Sequence, residues 1–272
     1  MHRTDTTNFI SFELSSLGVA TFIFPSSSAE CSSASQIRIV IPPRSVWRMP
    51  PHWHPSESRT AASQPRATLG CERITCVSGR LRVYVAQGLR GSYDKVGSEG
   101  MSVKFAPGQR VAWNRASNDD KTALEVDLVA DPMLWRNYCS AVLDRDIFPR
   151  LSSTPWWVKA LFAILTPVPR WREGLLSVML WIQLQTIYTA HDFHVPYGYV
   201  PVTWPWIYQP FGGRAPGWAR RLELRSLYLI AWVVMRTAYL IGTLLLGMKG
   251  EYSEYTPSEI PGDEKKTLTA PA

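Results

Sequence analysis

The sequence predicts a mainly β domain followed by an α-helical region, and three observations carry that reading. Between Gln36 and Asp131, short β-branched runs recur at close spacing with turn residues between them. After Asp131 the apolar residues change to helical spacing. Near the C-terminus, the 22 residues from Leu227 to Met248 hold a single charge, Arg236.

Composition sets the outer bounds. With 272 residues, 46% of them apolar and 19% charged, the chain is long and apolar enough to bury a core, which excludes disorder throughout. A mean hydropathy of −0.09 excludes a polytopic transporter but is compatible with one apolar segment. The net charge of +7 is modest and its basic residues are scattered. Nucleic acid is therefore not an expected partner, whereas an anionic membrane surface is compatible with that charge. Four cysteines without a Cys-x-x-Cys spacing indicate neither a disulfide scaffold nor a zinc ribbon. Asp5 and Glu13 flank the first apolar stretch, and no basic n-region precedes it, so no signal peptide is expected. The expected setting is intracellular, with reduced thiols.

The elements follow in order. Residues 1–35 form an N-terminal segment that alternates loosely (Phe9, Phe12, Leu14, Leu17, Val19) and passes into the Ser-rich stretch Ser26 to Ser35, a loop by composition. Residues 36–133 form the β unit. Its strands are Ile37–Ile41 before Pro42-Pro43, Glu72–Val77 before Gly79, Leu81–Val85, Met101–Phe105 before Pro107-Gly108, and Ala123–Val129. Strands this short and this regularly spaced predict an all-β barrel or sandwich. Residues 134–249 form the helical, aromatic-rich region, with helices expected over Leu134–Leu143, Trp156–Leu165, Gly174–Ala190 and Leu227–Met248. At about 1.5 Å per residue the last could cross a hydrocarbon core of ~30 Å. Residues 250–272, rich in Pro, Glu and Lys, are expected to be a disordered tail.

The strongest chemical feature is Pro50-Pro51-His52-Trp53-His54. Residues two apart on a strand share a face, so His52 and His54 are expected to point together and could give a transition metal two ligands. A carboxylate would complete a facial triad. Glu72 is favoured, since it opens a strand with six residues between it and Gly79; Ile74 and Cys76 are expected on its face, and Cys71, Arg73 and Thr75 on the other. Glu57 lies closer to the histidines, but no glycine-ended strand follows it at the right offset.

His-x-His, then Glu, then six residues, then Gly resembles the first motif of the cupin family. Gly100, six residues, then Pro107-Gly108 resembles the second, and Val129-Ala130-Asp131-Pro132-Met133 resembles the exit from the barrel in fungal cupin-domain proteins. The resemblance spans roughly Val40 to Leu165. It is greatest to cupin-domain oxidoreductases of fungal polyketide gene clusters, including those that make salicylaldehydes. What it implies is a jelly-roll barrel, redox chemistry on a small polyketide-like intermediate, and a divalent iron, manganese or zinc ion on His52, His54 and Glu72. The same three residues would be the catalytic ones.

Two departures stand out. Seventeen residues separate His54 from Glu72, where the family's motif has three or four; the excess, Ser56 to Gly70, is expected to be a surface loop. The histidine that ends the family's second motif is replaced by Val111, Ala112 and Trp113. In the alternative reading, the histidines are metal-free interior residues and Trp113 fills the vacated space.

Other features rank lower. His191-Asp192-Phe193-His194 is stopped by Pro196 and Gly198, so a turn at a membrane interface is expected rather than a metal site. Cys76 is expected to be a buried structural thiol rather than a nucleophile. No Gly-x-Gly-x-x-Gly, Walker loop or Gly-x-Ser-x-Gly exists, so no nucleotide cofactor is indicated. The aromatic stretch Tyr197 to Trp218 suits either a headgroup boundary or a lid over the barrel mouth. Membrane contact is expected through residues 174–190 and 227–248. Arg214, Arg220, Arg221 and Arg225 would hold the barrel on the cytosolic side, and Gln183 or Gln185 would shield Arg236. Three functions fit these features: a cupin-type oxidoreductase, a metal-independent cupin isomerase or cyclase, and a non-catalytic membrane-attached binding or scaffold protein.

Overall fold

The computed structural model describes residues 11–14, 19–24, 35–45, 47, 52–53, 73–86, 92–105, 109–117, 121–165, 168–191, 193, 217–250 and 252. Among the described residues, ten strands precede four α-helices. The strands are β1 (Ser11–Leu14), β2 (Ala20–Ile23), β3 (Ser35–Ile41), β4 (His52–Trp53), β5 (Arg73–Ser78), β6 (Leu81–Ala86), β7 (Ser92–Gly97), β8 (Ser102–Lys104), β9 (Arg110–Arg115) and β10 (Leu124–Ala130). They form a six-stranded sheet, β1-β2-β3-β10-β5-β8, and a four-stranded sheet, β4-β9-β6-β7. Without the β1-β2 hairpin this is the strand order of a jelly roll.

The jelly-roll barrel implied by the resemblance is not closed: the strands form two sheets, the sandwich that the strand spacing also allowed. Among the described residues no ladder joins one sheet to the other, and the inner faces meet through side chains instead. The sheet also reaches back to Ser11, ahead of residue 36, because β2 pairs with β3 with Phe22 opposite Ile39.

Alternation explains the core. In β10, Leu124, Val126, Leu128 and Ala130 are buried while the residues between them are partly exposed. On its two sides lie Ile37, Ile39 and Ile41 of β3 and Ile74 and Cys76 of β5, all buried. Each such aliphatic side chain stabilises the fold by about 1.5–3 kcal/mol. The outer face is polar: Arg38 and Asp127 are register partners, with Nε 2.8 Å from the carboxylate. The glycine that ends the β5 motif has a steric cause. Gly79 holds φ +85°, and a Cβ there would lie 2.7 Å from the Ala123 carbonyl oxygen.

The helices are α1 (Pro132–Leu143), α2 (Trp156–Leu165), α3 (Pro169–Ala190) and α4 (Gly217–Leu240); a 3₁₀ turn, Asp144–Arg150, follows α1 and a π turn, Ile241–Leu245, follows α4. Asp131 caps α1, its Oδ1 accepting from the Met133 amide at 2.9 Å, with Pro132 in the first turn. Helix α3 is the hub and packs against α1, α2 and α4. Its residues 182–188 are all buried, so the expected membrane contact through 174–190 is corrected for this half of the segment: protein covers it. Gln183 and Gln185 are buried too, whereas Arg236 is exposed with its guanidinium 5.9 Å from the Trp232 ring, so the expected shielding does not form.

One apolar core runs from Phe12 in β1 through Trp135 and Tyr138 in α1 to Tyr188 in α3 and Met235 in α4. The border drawn at residue 134 therefore marks a change of secondary structure and not a break in the core. A satellite cluster joins Phe148, Val158, Phe162, Met179 and Leu246. The expected disordered tail lies outside the described residues apart from Gly250 and Tyr252. Tyr252 is buried, with its hydroxyl accepting from the Lys249 amide at 2.7 Å, so order extends at least that far.

Candidate functional site

Strand β4 enters the four-stranded sheet beside β9, with His52 opposite Val111 and Trp53 opposite Arg110. On the other side of β9, Val85 lies opposite Val111, Val83 opposite Trp113 and Leu81 opposite Arg115. His52, Val111 and Val85 thus share one cross-strand row. His54, Glu72 and the loop Ser56 to Gly70 lie outside the described residues, as do Glu57 and Pro107-Gly108. Just after Glu72 the expected alternation holds: Ile74 and Cys76 are buried and Arg73 is exposed. Among the described residues no three His, Cys, Asp or Glu side chains form a group able to hold a metal ion.

Positions 111 and 113, where the resemblance would put a third imidazole, hold buried apolar side chains. Val111 and Trp113 are 0% and 2% exposed, and the Trp113 ring lies 5.3 Å from that of Trp47. Trp47 continues to Phe22 at 5.6 Å, and Phe22 stacks on Trp135 at 5.8 Å. Burial pushes the Tyr138 hydroxyl and the Cys139 thiol well above their ordinary pKa values, so this interior opposes charge.

One interior residue had no assigned role in the sequence reading. Arg115 is 4% exposed; its Nη1 donates to the Thr122 carbonyl at 2.7 Å, and its Nη2 donates to the carbonyls of Pro42 at 2.7 Å and Ile41. The guanidinium thereby ties β9 of one sheet to the end of β3 in the other. The available signal was its place in the inward series Val111, Trp113, Arg115.

Cys76 is a buried thiol whose Sγ lies 3.6 Å from the carbonyls of Ser78 and Gly79, and burial raises its pKa. The thiolate is the nucleophile, so this environment suits structure rather than catalysis. A disulfide reagent added to native protein is expected to leave Cys76 and Cys139 unmodified, and denaturant should release both; peptide mapping of the labelled cysteines checks it.

His191 is also corrected. It is buried at the end of α3, with Nδ1 3.1 Å from Asp131 Oδ2, so it ties α3 to the start of α1 and is not a turn at a membrane interface. Asp192, His194 and the stretch from Tyr197 to Pro216 lie outside the described residues.

No family model and no curated protein matches this chain. Solved structures with similar folds include the Drosophila melanogaster CENP-C cupin domain at 12% identity and TM-score 0.28, covering 40% of this chain and 63% of that one. An oxalate oxidase is similar at 19% identity and TM-score 0.26, covering 36% and 43%. A Bacillus subtilis oxalate decarboxylase, described by its Mn(II) centres, is similar at 12% identity and TM-score 0.30, covering 45% and 30%. The chain spans less than two thirds of each of these three proteins. Likeness at this level fixes neither substrate nor reaction.

Proposed function

We propose that the chain is a cupin-type, oxidoreductase-like enzyme acting on a small, mostly apolar, polyketide-like intermediate of fungal secondary metabolism. His52, His54 and Glu72 form its site. The observation that carries this reading is the row His52, Val111 and Val85, which sets the first histidine of the His-x-His motif against buried positions of β9 and β6. Two imidazoles and one carboxylate suit a divalent iron, manganese or zinc ion. When bound, such an ion supplies Lewis acidity and, for iron or manganese, a redox couple. His52 and His54 hold or polarise an oxygen atom, Glu72 completes the set or takes a proton, and the aliphatic and aromatic walls exclude water. In this proposal the protein works inside the cell, attached to a membrane through its helical region, with the sandwich on the cytosolic side.

Elemental analysis of the purified full-length chain and of a His52→Ala/His54→Ala variant tests the site. Stoichiometric iron, manganese or zinc that is lost in the variant is the expected result. A metal-free protein whose activity in cells depends on the histidines would favour the isomerase or cyclase reading. The scaffold reading has one observation behind it, the Trp113 and Trp47 rings that fill the interior, and it requires activity unchanged by the double substitution.

A gain of ligand gives an independent check. Of Val111, Ala112 and Trp113, which stand where the family's second motif has its histidine, Val111 and Trp113 are buried and Ala112 lies on the other face of β9. Val111→His, the register partner of His52, is expected to raise metal retention against a chelator about tenfold or more, since a further coordinate bond exceeds the ~1.4 kcal/mol this requires. Ala112→His should leave retention unchanged, and equal retention in the two variants would remove β9 from the site.

A further inference from the structure

The helical region presents a surface unlike that of the sheets. Of the twenty large apolar side chains exposed among the described residues, only Val19 and Val96 belong to the β part. Exposed tryptophans occur on three helices: Trp156 and Trp157 on α2, Trp171 and Trp181 on α3, and Trp218 and Trp232 on α4. From Trp156 to Lys249 the sequence holds nine Lys and Arg against three Asp and Glu, which accounts for six of the seven excess positive charges. Apolar side chains, indole rings and cations are thus gathered in one region.

Helix α4 shows what such a surface must meet. Ala231, Met235 and Ala238 are buried, and the stripe continues to Gly242 in the π turn, where a Cβ would lie within 2.4 Å of Thr186 Oγ1 of α3. On the opposite face Leu222, Leu229, Val233, Leu240 and Leu244 stay exposed, together with Arg225 and Arg236. The helix is therefore apolar on both sides, although only 22% of its window Tyr228–Leu245 is buried. An apolar face of this extent marks a contact with lipid or protein.

Charge and position decide the occupant. A second copy meeting this stripe about a two-fold axis near its middle would bring Arg236 against its own counterpart. A spanning α4 would hold Arg236 and Trp232 near the middle of the hydrocarbon, where arginine is costly and tryptophan, an interfacial residue, is out of place. Lying in the plane of a membrane, the same helix sets its leucines among the acyl chains, its indole rings at headgroup level and its arginines against lipid phosphates. We infer that helices α2 to α4 form an in-plane docking surface for an anionic lipid bilayer, seated at the headgroup boundary without crossing it. This deepens the membrane attachment proposed above and is independent of the chemistry at His52.

Flotation of the full-length protein with vesicles tests it, comparing phosphatidylcholine alone with phosphatidylcholine mixed with phosphatidylserine. The protein is expected to float with the mixed vesicles, to bind the neutral ones weakly and to be released by alkaline carbonate. Trp156→Glu with Leu244→Glu changes side chains that are 80% and 76% exposed, and should lower binding about tenfold or more with an unchanged circular dichroism spectrum. Arg236→Ala should weaken binding to the mixed vesicles about fivefold. Resistance to carbonate, or tighter retention of Arg236→Ala, would show a spanning helix and overturn the in-plane inference while leaving membrane attachment standing. Equal binding to both vesicle types would overturn the anionic preference, and binding to neither would overturn attachment itself.

Discussion

Replacing Trp113 with alanine is expected to lower the stability of the fold by about 3–5 kcal/mol, the range for truncating a buried aromatic side chain. The ring is 2% exposed, and its neighbours are held from different directions. Val83 is its register partner on β6; Trp47 lies 5.3 Å away; beyond Trp47, Phe22 belongs to β2 and stacks on Trp135 of α1. A strand, a second sheet and a helix cannot all close over the lost ring, so much of the cavity should persist. Urea unfolding measures the loss, and a fall in Tm of about 10 °C should accompany it. Trp113→Phe keeps an aromatic ring in place and should cost less than half as much. A loss below about 1 kcal/mol for the alanine variant would mean that the ring is not a core element.

Much of the β architecture was legible because burial imposes a period of two. Strands β3, β5, β6, β8 and β10 each lie within a residue or two of their expected limits, as inward aliphatic residues alternate with outward polar ones. Strand β7 carried no such signal. It is an edge strand with Asp94, Lys95 and Val96 all exposed, held by its ladder to β6 and by the Arg82–Asp94 ion pair. In β9 the inward series includes an arginine, which obscures the alternation. Apolar spacing set the limits of α1 and α2 to within two residues. Helix α3, however, begins five residues ahead of Gly174, at Pro169, and α4 runs Gly217–Leu240 rather than Leu227–Met248. Packing, and not apolar character alone, decides where these helices start, and the environment of α3 was not legible either. Its mixed outer faces match a membrane contact equally well until the positions of α1, α2 and α4 are known. At the site, the spacing of His52, His54 and Glu72 was readable, whereas convergence depends on how the chain from Pro55 to Cys71 returns. Of that geometry, the structure describes the register of His52 with Val111.

The second large effect is expected at Arg115. Its guanidinium serves three carbonyls, those of Ile41 and Pro42 at the end of β3 and that of Thr122 before β10. Substitution by methionine keeps an unbranched stem but removes every donor. Thr122 is exposed, so water can replace that bond, whereas Ile41 is fully buried and its carbonyl would lose its partner away from solvent. A buried polar group left unpaired costs about 1–3 kcal/mol. With the partly buried Pro42 carbonyl added, Arg115→Met should lower stability by about 2–4 kcal/mol, measured by urea unfolding. Lysine is not a rescue, since one ammonium on a flexible stem cannot reproduce a planar fork serving carbonyls on two segments, and Arg115→Lys should recover at most about half of the loss. The local consequence is more specific. Arg115 fixes the end of β3 against β9, and the chain leaving β3 leads to His52, which pairs with Val111 of the same β9. Loosening that tie should let β4 open from β9 before the sandwich unfolds as a whole. Hydrogen exchange should therefore accelerate for amides in the β4–β9 ladder of Arg115→Lys at denaturant concentrations where β10 remains protected. A loss below about 1 kcal/mol, with exchange on β9 unchanged, would show that water serves these carbonyls equally well and that Arg115 does not position the histidine strand.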